Sequence, residues 1–79
     1  MKEADAAILS SFGRRLRAVR TQSEISQEAL AELAELDRTY ISLLERGKRN
    51  PSLSCVAKLA KALDVTVSAL CDFEGNYGE

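Results

Sequence analysis

Seventy-nine residues make one small domain, able to bury only about 60% of the surface its unfolded chain exposes, and 46% of them are apolar, mostly Ala and Leu, with one Pro and four Gly. That composition favours an all-α fold; there is no apolar run near the ~20 residues of a membrane helix, and with no His and only Cys55 and Cys71 the chain cannot assemble a zinc site or a Cys/His catalytic pair. The net charge of −1 lacks the basic excess of a typical nucleic-acid-binding domain, yet the charges are segmented.

Residues 14–20 hold four Arg and no acid, and residues 21–37 hold five acids and no base. Residues 38–61 then carry six bases against Glu45 alone, and from residue 62 onward there are four acids and no base. What matters is which segments share a face. The lead MKEADAAILSS has acids where a secretion signal needs a basic stretch followed by an apolar one, so a cytoplasmic location is expected. Both thiols are expected to be buried or half-buried and unpaired. No Gly-rich phosphate loop or metal-ligand cluster is present in the sequence, so neither an enzyme nor a cofactor is expected.

The chain is expected to form a single unit over 1–79, ordered from about 8 to 73, with 1–7 and 74–79 as terminal extensions. The first helix is predicted from about Ile8 to Gln22, since Leu9, Phe12, Leu16, Val19 and Arg20 recur every three or four residues. Arg14, Arg15 and Arg17 occupy its other faces, where a solvated basic surface is expected. Ile25 plugs the connection and Ser26 caps a second helix, Gln27–Ala34, too short to persist without tertiary packing. Asp37 caps a third, Arg38 to about Arg46, which Gly47 terminates. Neither of these two helices can bury its stripe of Leu30, Ala31, Ala34, Leu36, Ile41 and Leu44 without folding onto the other.

Lys48-Arg49-Asn50-Pro51 reads as a basic loop, with Pro51 stopping any helix. Ser52 caps helix four, Leu53–Leu63, whose Leu53, Val56, Leu59, Ala60 and Leu63 make one apolar stripe. Val65-Thr66-Val67 is strand-like by propensity but too short for a sheet, and Ser68–Phe73 resumes a helical pattern. Five helices are expected, with Glu74–Glu79 a frayed tail. A short third helix held by its back, with Arg38, Thr39, Ser42 and Arg46 on its front, suits the major groove of DNA.

From Phe12 to Phe73, through LRAVR, SQEALAELA, YISLLERGKRNPSL and LAKALDVTVSAL, the sequence resembles the Cro/cI-type (Xre-like) helix-turn-helix regulators. The resemblance implies a five-helix, lambda-repressor-like domain with the helix-turn-helix at helices two and three. Matched residue by residue, Arg38, Thr39 and Leu43, with Ser42, fall where the family reads bases. Gln27, Tyr40, Arg46, Lys48, Arg49, Asn50 and Ser52 fall near the DNA backbone. Arg20 and Glu45 match an internal ion pair. Glu35 departs from the pattern, standing in the turn where Gly is usual. The motif LDRTYISLLERGKRNPS particularly resembles the controllers of restriction-modification systems; a phage Cro-like repressor and an antitoxin-type regulator are the alternatives, and a helical protein-interaction module is the rival of another class.

A single recognition helix covers half a site, so the resemblance implies a homodimer on pseudo-palindromic DNA. Val65, Val67, Leu70, Cys71 and Phe73 are the candidate interface, with covering the monomer's own core as the other role open to them. The partners read from the sequence are a double-stranded DNA operator and a second copy of the chain, with RNA polymerase a further candidate and no membrane. Autoregulation is the expected mode of control.

Overall fold

The structure, a computed structural model, describes residues 3–73. Over that range it has five helices and no strand: α1 (Glu3–Gln22), α2 (Gln27–Ala34), α3 (Arg38–Glu45), α4 (Leu53–Ala62) and α5 (Val67–Leu70). Residues 1–2 and 74–79, within the expected terminal extensions, lie outside the described residues. The all-α, five-helix architecture is the one expected, with corrections at the edges. Helix α1 begins at Glu3 rather than near Ile8, and α5 is a single turn rather than a helix over 68–73.

The helix starts are chemical. Ser26, Asp37, Ser52 and Thr66 each hold an extended backbone, and their side-chain oxygens accept from the amides of Ala29, Thr39, Cys55 and Ala69. Each such cap is worth about 1 kcal/mol. Thr66 corrects the strand-like reading of Val65-Thr66-Val67: its hydroxyl, 2.9 Å from the Ala69 amide, starts α5 instead.

The helix ends share one device. Beyond α1, α2, α3 and α4 an amide bonds back to a carbonyl five residues earlier: Ile25 to Arg20, Leu36 to Ala31, Lys48 to Leu43 and Val65 to Ala60. This closure requires the preceding residue to be left-handed, and Glu24, Glu35, Gly47 and Asp64 have φ between 56° and 71°. Only one of the four is Gly. For a side-chain-bearing residue that conformation costs about 1–2 kcal/mol. The offset lies one residue on, where Ile25, Leu36 and Val65 pack against the core.

Each helix sends at least one side chain to full burial: Leu16 from α1, Leu30 from α2, Ile41 and Leu44 from α3, Leu59 from α4 and Leu70 from α5. At about 1.5–3 kcal/mol each, these six contribute about 9–18 kcal/mol against the chain entropy that folding removes. Helix α1 packs on α3 and α5, while α2 packs on α3 and α4. Gly13 permits the first contact, because a Cβ there would stand 2.5 Å from the Leu44 carbonyl oxygen. Two further ties bind the C-terminal end. Arg15 donates from Nε and Nη2 to the Ala69 carbonyl at 3.0 and 2.8 Å, and the Phe73 ring stands edge-on to Phe12 with centroids 6.5 Å apart. Arg15 therefore joins α1 to α5 rather than forming a solvated face with Arg14 and Arg17. Leu53, expected in the α4 stripe, is 76% exposed.

Candidate nucleic-acid interface

The backbone from Ser26 to Pro51 presents α3 with two unlike faces. Ile41 and Leu44 point into the core with no exposed surface. Opposite them Arg38, Thr39 and Arg46 are exposed, while Ser42 and Leu43 are half-buried. Asp37 fixes the start of the helix through the Thr39 amide at 2.7 Å. Its end runs into Gly47 and the exposed Lys48, Arg49 and Asn50. Arg46 and Arg49 make only local contacts, each at 3.4 Å to a backbone carbonyl. Arg38 and Lys48 have no side-chain partner among the described residues. The result is a row of cations with free bonding capacity on a rigid support.

The acid within this basic segment is neutralised. Glu45, whose side chain is 4% exposed, accepts Arg20 Nε on Oε2 at 2.6 Å and Nη2 on Oε1 at 3.1 Å. Arg20 also donates from Nη1 to the Ile25 carbonyl at 2.9 Å, which ties the α1–α2 connection to the end of α3. Gln27 joins the same group by donating from Nε2 to Glu45 Oε1 at 3.0 Å. Nothing in the sequence pointed to that last contact, because 18 residues separate the partners.

Tyr40 and Ser52 have roles inside the fold. Tyr40 is half-buried against the core. Burial, together with the neighbouring Cys55 thiol, pushes its hydroxyl above the usual tyrosine range, against a smaller opposing effect of Arg49. Its ring thus spans from α3 to the start of α4. The Ser52 hydroxyl receives the Cys55 amide at 3.1 Å as the α4 cap.

The C-terminal candidates separate. Val65, Val67 and Phe73 are half-buried against the core, and Cys71 is exposed. Leu70 has no exposed surface at all, so it is a core residue and is corrected out of the interface set. The two cysteines are free thiols, Cys55 buried. Among the described residues no group of three or more His, Cys, Asp or Glu side chains is placed to hold a metal ion. No described helix is long and apolar enough to cross a membrane.

Comparison with known proteins agrees with this geometry. The family described as "Helix-turn-helix" matches residues 16–70. The chain is 49% identical over 63 residues to control protein C.BamHI of Bacillus amyloliquefaciens, covering 78% of each. It is 43% identical over 60 residues to the immunity repressor protein of Bacillus phage phi105, covering 76% of this chain and 42% of the repressor. The crystal structure of the restriction-modification controller protein C.AhdI from Aeromonas hydrophila superimposes with a TM-score of 0.80 at 52% identity, over 81% of this chain and 97% of that one.

Proposed function

Because the chain belongs to the helix-turn-helix family of DNA-binding transcriptional regulators, we propose that it controls a restriction-modification operon, including its own expression, by binding a pseudo-palindromic operator as a homodimer. The observation that carries this reading is α3 itself: a buried back formed by Ile41 and Leu44 and a front of exposed Arg38, Thr39 and Arg46. A helix so held presents its front to a major groove without rearrangement.

In this reading Arg38 makes the bidentate contact to guanine O6 and N7, while Thr39 and Leu43 meet a thymine methyl and Ser42 supports them. Arg46, Lys48, Arg49 and Asn50 meet phosphates, with Gln27 and the N-terminus of α2 at the edge of the site. Tyr40 and Ser52 lie at the same rim. The partly exposed Val65, Val67, Phe73 and Cys71 form the dimer contact and set the two recognition helices about 34 Å apart, one turn of DNA. The single domain, residues 1–79, works in the cytoplasm as a binding protein rather than an enzyme and acts on transcription through RNA polymerase. The similarity to C.BamHI and C.AhdI, which this chain covers over 78% and 97% of their lengths, supports the controller reading above the phage-repressor one, where the cover is 42%.

Footprinting the purified chain on the DNA upstream of its own gene tests this. Two protected half-sites related by a two-fold are expected. A single protected patch would overturn the dimer, and no protection at low salt would overturn the operator. Sedimentation across a concentration series gives the second check: a monomer throughout the micromolar range contradicts the homodimer.

A further inference from the structure

We propose that Glu45, an acid out of reach of the duplex, is a positioning residue for DNA binding: it turns the Gln27 amide so that one N–H is held inside the protein and the other is left for a phosphate oxygen. The inference rests on the DNA-binding reading above. One carboxylate collects three N–H donors, two from Arg20 at 2.6 and 3.1 Å and one from Gln27 at 3.0 Å.

A primary amide has two N–H donors and one carbonyl acceptor, whereas a carboxylate only accepts. The carboxylate therefore fixes which way the Gln27 amide faces, since the flipped amide would set oxygen against oxygen. With Nε2 turned to Glu45, its second N–H is unbonded among the described residues. The backbone amides of Gln27 and Glu28, in the first turn of α2, are likewise without an acceptor there. These three N–H groups all belong to the first turn of α2, at the positive end of its dipole, where phosphate is received. Released from Glu45, the amide turns freely and presents its carbonyl oxygen, which repels phosphate, as often as its nitrogen.

Simple electrostatics predicts the opposite effect for Glu45, because removing an acid from a DNA-binding domain should strengthen binding. Here Arg20 already neutralises the carboxylate, so its orienting role prevails. The test is a double-mutant cycle. Gln27→Ala is made in the native chain and in an Arg20→Met/Glu45→Met background, where apolar side chains of similar volume replace the ion pair and preserve folding. Operator and non-specific duplex affinities are read by titration, with thermal midpoints as the control.

In the native chain Gln27→Ala is expected to weaken both duplexes about five-fold, the value of one phosphate hydrogen bond, without changing the salt slope. In the Met background it is expected to weaken both by only about 2.5-fold, because a freely turning amide faces the phosphate with its nitrogen half the time. Equal losses in the two backgrounds would show that Gln27 acts without Glu45, and no loss in the native chain would show that it touches no phosphate; either overturns the proposal while leaving the DNA-binding reading intact. Failure of the native chain to bind any duplex would overturn both. Should the Met background not fold, the native side-chain amide decides: NMR is expected to show Gln27 Nε2 protons exchanging more slowly than those of the exposed Gln22. Equal exchange would overturn the proposal.

Discussion

On the back of α3 Ile41 and Leu44 have no exposed surface, and at its end Glu45 binds Arg20 and Gln27 through both carboxylate oxygens. On its front Arg38 is exposed without a partner among the described residues, and Arg46 reaches only its own helix. Within the eight residues of α3 the Glu45 carboxylate is thus fully engaged, while Arg38 on the other face has no partner among the described residues. The contrast shows how a short helix can be rigid and unfinished together: the back is saturated with contacts so that the front can keep its hydrogen bonds for another molecule.

Breaking the back should be the largest effect. Leu44→Ala removes a fully buried side chain and is expected to cost about 2–5 kcal/mol of stability by denaturant titration. Gly13→Ala attacks the same face from α1, where the new methyl would meet the Leu44 and Glu45 carbonyl oxygens at 2.5 and 2.6 Å. A loss of about 2 kcal/mol is expected despite the better helix propensity of Ala, a fall of roughly 8–16 °C in midpoint.

A smaller change runs the other way. Glu35→Gly relieves a left-handed residue with φ 57° in the turn behind α3. After the added freedom of the unfolded glycine is subtracted, a gain of about 0.5–1 kcal/mol is expected, with DNA affinity unaltered. Smallest is the pH effect at Tyr40. Its folded hydroxyl titrates above the ordinary value of 10.0, so between the two values the unfolded chain holds fewer protons than the folded one. Stability should therefore decline as pH rises through 10.0, and Tyr40→Phe should lessen that decline.

What could be read from the sequence was local. Ser26, Asp37 and Ser52 were legible as caps because a cap needs only a short acceptor before an apolar run. The stripe of Leu30, Ala31, Ala34, Ile41 and Leu44 was legible because its period is that of a helix. Thr66 has the same cap chemistry but was hidden between two valines, whose strand propensity ran against it.

Other features depend on tertiary approach and carry no local signal. Gly13 matters only through the close approach of the Leu44 and Glu45 carbonyls, which nothing in its neighbours along the chain announces. Arg15 found its carbonyl at Ala69, 54 residues away. Leu70 entered the core because α4 and α1 close over a one-turn helix. Leu53 lay outside it because periodicity cannot say which first-turn residue faces inward. The exposed polar front of Arg38, Thr39 and Arg46 was legible in the chain, while the bond joining Gln27 to Glu45 required the fold.

The central claim is that the two exposed arginines at opposite ends of α3 do different work on DNA, and paired titrations of Arg38→Ala and Arg46→Ala on operator and random duplex test it most directly. Arg38→Ala should lose about 1–3 kcal/mol on the operator, relax the preference at one base pair and spare the random duplex. Arg46→Ala should weaken both duplexes alike and lower the salt slope by about 1. Neither should move the thermal midpoint, since neither side chain contributes to the core. Identical behaviour of the two variants, with equal losses on both duplexes and equal changes in salt slope, would contradict the division of α3 into reading and anchoring residues.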